Sequence, residues 1–185
     1  MLKKFAAALL ALLGWKALEA PGRPPKAVMI AYPHTSNWDA FYALLVKLAL
    51  GLDAHWAGKD NMFRPPFGGL LKKMGGVPVN RRERTGFVEQ MVAEFASRER
   101  FTLVIAPEGT RGLTGGWKSG FYRMAVAAQV PVALGFMDYA RREGGILAYL
   151  TLTGDRDADL ATIAQLYAGH LGKRPALASP IRWLD

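Results

Sequence analysis

Cysteine is absent from all 185 residues, which removes disulfide cross-links, cysteine-based zinc sites and a thiol nucleophile together. Any nucleophile must use oxygen or nitrogen. Histidine is nearly as scarce. Only His34, His55 and His170 occur, no His-Glu-x-x-His pair is present and the carboxylates do not cluster with them, so no metal site is expected. Long hydrophobic runs are missing as well: the apolar stretch from Phe5 to Leu13 is about half the length a membrane-spanning helix needs. No G-x-S-x-G elbow occurs, so an attacking hydroxyl would come from a substrate rather than from the protein. Internal repeats, low-complexity tracts and interdomain linkers are absent too.

What is abundant is positive charge. Lys and Arg number 24 against 15 Asp and Glu, a formal net charge of +9. An anionic partner is implied, and nucleic acid, phospholipid headgroups or phosphorylated cofactors would each satisfy it. The basic residues form no long run and do not interleave with stacking aromatics, so nucleic acid is not expected. The start, "MLKKFAAALLALLGWKALEA", reads as a helix over residues 1–14 lying in a membrane interface, with Lys3 and Lys4 near anionic headgroups. An ordinary helix packed on the domain is the alternative. A secretory signal is a third reading, opposed by Gly14 as a helix stop and by the strand-like alternation of "WKALEA". The expectation is a peripheral membrane protein on the cytoplasmic face.

With 51% apolar residues, positions 15–185 suit one domain with a sizeable core. Buried-strand patterns fall at Ala27–Tyr32, Ala54–Gly58, Gly76–Val79, Phe101–Ala106, Pro131–Phe136 and Ile146–Thr151. Helical patterns lie between or after them, at Ser36–Leu50, Pro66–Met74, Thr85–Arg98, Lys118–Gln129 and Ala158–Leu171. This alternation predicts an α/β fold: a largely parallel central sheet with helices on both faces, because parallel strands need crossovers. "ARREGG" between the last two strands predicts an antiparallel hairpin at one edge. From Lys173 the tail is expected to be irregular and to lie on the surface.

Three polar motifs follow predicted strands, the end at which open α/β sheets bind ligands. In "AYPHTSNWDAF", Pro33 stops the strand and presents His34. Ser36 and Asp39 fit a capping box, which accounts for the aspartate without any chemistry. It leaves His34 unexplained. A turn from strand into helix can instead bring the Asp39 carboxylate to the ring, fixing its tautomer and making the pair a general base. In "GGVPVNR" a short strand delivers Arg81, which is either a phosphate fork or one of a solvated run with Arg82 and Arg84. "LVIAPEGTRG" gathers Glu108, Gly109, Thr110 and Arg111 where a plain turn needs only proline and glycine. Arg81 and Arg111 suit phosphate as forked donors, Thr110 adds a hydroxyl, and Gly109 admits close backbone approach. Amides near Gly109 are candidate oxyanion donors. Lys118 either reaches a phosphate or covers a helix start. Trp56, Met62, Phe63, Phe67 and Met74 read as core or rim.

These motifs resemble, in order, the four blocks of the glycerolipid acyltransferases, the 1-acylglycerol-3-phosphate and related lysophospholipid acyltransferases: "HTSNWD", "GGVPVNR", "PEGTR" and "VPVALG". The resemblance implies His34 as base, Asp39 as its orienting partner, and Arg81, Glu108, Gly109, Thr110 and Arg111 as binders of a phosphorylated acceptor. It also implies an acyl-coenzyme A or acyl-carrier-protein thioester as co-substrate, with no cofactor and no metal. Departures from the family pattern are Pro33, Pro78, Gly112 and Leu134 where asparagine, phenylalanine, serine and proline are usual. A thioesterase would use the same His34 and Asp39 with water as acceptor. A non-catalytic membrane-binding module would account for the charge and the N-terminal helix alone.

Overall fold

A computed structural model describes residues 1–79 and 86–185. Helix α1 (Leu2–Leu12) and strand β1 (Lys16–Glu19) lead into β2 (Lys26–Ala31), α2 (Trp38–Leu50) and β3 (Ala54–Lys59). A single 3₁₀ turn at Asp60–Phe63 precedes α3 (Gly68–Lys73) and β4 (Gly76–Val79). The chain continues through α4 (Gly86–Ser97), β5 (Phe101–Ile105), α5 (Gly120–Ala127), β6 (Val132–Asp138), β7 (Glu143–Leu150) and α6 (Arg156–Tyr167).

The seven strands form one sheet in the order β1-β7-β6-β2-β5-β3-β4. All pairings are parallel except β6 with β7, the hairpin marked by "ARREGG". The period of two explains how both faces are filled. On β2, Val28 and Ile30 enter the main core with Phe95, Phe101, Phe121 and Tyr167, while Ala27 and Met29 join Ala133 and Ile146 in another cluster. β6, "VALGFMD", is buried at every position, the pattern of a strand sandwiched between two helical layers. At one end of the sheet, α1 packs on α2: Ala6 and Leu10 are buried with Trp15, Leu45, Val46 and Ala49.

The expected strands are all present, including "WKALEA" as β1, and the expected helices differ mainly at their ends. α2 starts at Trp38 rather than Ser36. α6 starts earlier than expected because Asp155 accepts from the amides of Asp157 and Ala158, a side-chain cap that the apolar period does not report. The tail is irregular apart from a 3₁₀ turn at Pro175–Leu177, but it is not a surface appendage. Ser179 is fully buried, and Trp183 stacks on Phe121, 5.8 Å between ring centroids.

Candidate active site

Strands β2, β3, β4, β5 and β6 run in one direction, so the segments leaving their carboxyl ends gather along one edge. The chain leaving β2 carries His34, and that leaving β5 carries Glu108 to Arg111. Nδ1 of His34 lies 3.1 Å from Oδ2 of Asp39. The same Oδ2 accepts from the amides of Thr35 at 2.9 Å and Ser36 at 3.0 Å, while Ser36 Oγ accepts from the Trp38 amide. Asp39 therefore holds the imidazole and the two amides of the loop that leads into α2, while the N-cap itself, Asn37, has no side-chain cap hydrogen bond. An ionised carboxylate only accepts, so Nδ1 carries the hydrogen and Nε2 is left with its lone pair. Burial pushes the Asp39 carboxyl up, but hydrogen bonds from His34, Tyr139 and the Ser36 amide outweigh it and hold the group below the usual carboxylate range.

Tyr139, just past the end of β6, donates its hydroxyl to Asp39 Oδ1 at 2.8 Å. Burial and the Asp39 carboxylate push this phenol far up, so it remains a donor. Its turn is fastened by Asp138, which accepts from the Ala140 and Arg141 amides, the Arg141 guanidinium and His170 Nδ1. Sequence reasoning missed Tyr139. No local signal links it to a carboxylate 100 positions away.

Glu108 is 2% exposed. Its Oε2 accepts the His34 amide at 2.9 Å and its Oε1 the Ser179 amide at 2.9 Å. It braces the histidine loop against the tail, with both oxygens occupied by backbone donors. Gly109 has φ +69°, in the left-handed region, and its amide donates to the Ala106 carbonyl at 3.0 Å within the turn. Thr110 Oγ1 accepts from the Gly112 amide at 3.3 Å. A Cβ placed on Gly109 would sit 3.3 Å from Lys118 Nζ, so the Lys118 ammonium lies over this turn. Arg81 falls outside the described residues.

Two hollows open at this edge. A cleft of about 460 Å³ has His34, Gly109, Thr110 and Arg111 as its polar rim. Its walls are apolar, from Trp56, Ala57, Phe87, Val104 and Ile105. A smaller polar hollow of about 220 Å³ lies on the other side of Arg111, against the start of α2. His55 stands at the opposite edge, at the start of β3 beside Asp53 and Arg98. Among the described residues, no group of three or more His, Asp or Glu is arranged to hold a metal ion.

The family model described as Acyltransferase matches residues 20–133, from just after β1 into the start of β6. That span covers well over half of the chain, the first three blocks and the start of the fourth, and the protein belongs to the glycerolipid acyltransferase family. Searches of curated proteins and of solved structures found no significant match. The protein is an acyltransferase.

Proposed function

We propose that the protein transfers an acyl group from a coenzyme A or acyl-carrier-protein thioester to a hydroxyl of a lysophospholipid or similar phosphate-bearing glycerol. The observation that carries this reading is the His34–Asp39 pair, with Nε2 of His34 unpartnered among the described residues, on the rim of a cleft that also carries Thr110 and Arg111. A neutral alcohol is a weak nucleophile, so a base is required. His34 Nε2 takes the hydroxyl proton as the oxygen attacks the thioester carbonyl. The tetrahedral intermediate then expels the thiolate, and the imidazolium returns the proton to sulfur. Asp39 stabilises the charged ring between those steps. The apolar wall from Trp56 to Ile105 suits the acyl chain, and Arg111 and Lys118 suit the phosphate of the acceptor.

The same reading includes work at an anionic membrane surface, on the cytoplasmic face. No helix among the described residues is long and apolar enough to cross a bilayer. Several apolar side chains nevertheless face outward: Trp38, Phe41 and Leu44 on α2, and Leu2, Phe5 and Leu12 on α1. A further set, Phe67, Leu70 and Met74, lies along α3 beside Lys72 and Lys73. A helix that is apolar on its solvent side as well as its core side fits an interface better than water.

Mass spectrometry of products formed from mixed lysophospholipids and an acyl thioester tests the reading. A new acyl ester is expected, and folded His34→Ala should lose about 10²–10⁴-fold in rate. Thiol release that ignores added acceptor would establish a thioesterase instead. Vesicle binding with no acyl product from any donor would establish a membrane-binding module.

A further inference from the structure

The smaller hollow is formed by Thr35, Ser36, Asn37 and Trp38 from the start of α2, by Arg111, and by Arg174 from the tail. Arg174 lies beyond the residues matched by the family model. We propose that this hollow is an anion subsite in which Arg111 and Arg174 together grip a phosphate monoester, delivered beside His34 by the substrate. The inference rests on the acyl-transfer reading for its biological source, but not for its chemistry.

Three observations carry it. First, the tail is held against the histidine loop by contacts that leave no slack. The Arg174 amide donates to Thr35 Oγ1 at 3.1 Å, and a Cβ on Gly172 would come within 2.7 Å of that same oxygen and 3.1 Å of Pro33 Cβ. Only glycine permits this approach, so the backbone that presents Arg174 is fixed next to the base. Second, neither guanidinium has an ion pair or hydrogen bond among the described residues, so no carboxylate of the protein neutralises the two arginines that border the hollow. Two unneutralised cationic residues bordering one hollow favour an anion there. Third, Arg111 borders both hollows, so an anion held there stands beside the cleft that His34 borders. Lys173, the neighbour of Arg174, lies 4.8 Å over the Trp38 ring, which pins the rim of the hollow by a cation–π contact.

A terminal phosphate can come from the acceptor headgroup or from the donor coenzyme, and kinetics separates the two. The test compares wild type, Arg174→Gln and Arg174→Lys as full chains. In ¹H–¹⁵N NMR titrations with inorganic phosphate and with glycerol 3-phosphate, the Thr35, Ser36 and Asn37 amides of the wild type should shift. The response should vanish in Arg174→Gln and weaken in Arg174→Lys. In steady-state assays Arg174→Gln should raise one KM by about tenfold. A rise for the acceptor assigns the hollow to the headgroup, and a rise for the thioester assigns it to the coenzyme phosphate. Unchanged titrations in Arg174→Gln, with both KM values at wild-type level, overturn the proposal. A wild type that transfers no acyl group refutes the acyl-transfer reading, yet the titration still decides the subsite. Should Arg174→Gln lose its thermal transition, Arg174→Lys keeps the charge, and a wild-type-strength phosphate response in it together with wild-type KM values overturns the two-fork geometry.

Discussion

At the scale of the residue, Asp39 shows how one carboxylate can be legible in sequence and still be misjudged when its roles are treated as alternatives. Tethering of the loop amides and contact with the ring both fall on the same oxygen, because a turn from strand into helix brings the histidine loop and the first helical turn together. Tyr139 completes the set, and it permits a sharp experiment. Tyr139→Phe removes one hydrogen bond to a charged group and should cost about 1.5–3 kcal/mol of stability in chemical denaturation. On the proposed mechanism it should also lower kcat without raising either KM, since its hydroxyl contact is to Asp39. The pH dependence has a fixed sign. The Asp39 carboxyl is held below its ordinary value in the folded protein, so its stabilisation is present above the unfolded carboxylate pKa of about 3.9 and is lost as pH falls through the lower folded value. The stability gap between wild type and Tyr139→Phe should therefore be largest near neutrality and shrink in acid.

At the scale of the element, the strands and the hairpin were legible because their signals are local: apolar runs, period-two alternation, and the polar break at "ARREGG", whose two glycines lie within β7. The tail was not. Its attachments include a serine amide to Glu108, 71 positions away, and an arginine amide to Thr35, 139 positions away, and neither leaves a pattern within a window of sequence. The same distance hid the placement of Glu108. The family resemblance implies a substrate binder, and in the fold each of its oxygens accepts from one backbone N–H, of His34 and of Ser179. Glu108→Gln tests that placement with almost no change of shape. Its amide NH₂ must face one of those N–H groups, so the variant should lose about 1–3 kcal/mol of stability. Because the other end of the contact is the His34 amide, kcat should fall together with stability. A Glu108→Gln enzyme of wild-type stability with only a raised acceptor KM would instead make Glu108 a binding residue.

At the scale of the whole molecule, charge and apolar exposure reinforce each other. On the proposed membrane reading, a net charge of +9 favours an anionic surface from a distance, and the outward aromatic residues of α2 would supply contact once there. Co-sedimentation should find the protein on vesicles containing phosphatidylglycerol and far less on phosphatidylcholine alone, with binding weakened by salt. Phe41→Ser should reduce binding to the anionic vesicles, because it removes apolar area without altering charge. Equal binding to both lipid compositions would separate the charge from the membrane altogether.

The Glu108 bridge has a kinetic corollary. One buried side chain fastens the loop that carries His34 and the segment that carries Arg174, so neither can detach while the other stays docked without stranding a carboxylate oxygen away from water. The two amide protons on Glu108 thus belong to a single cooperative opening, and solvent deuterium reaches both through the same rare excursion.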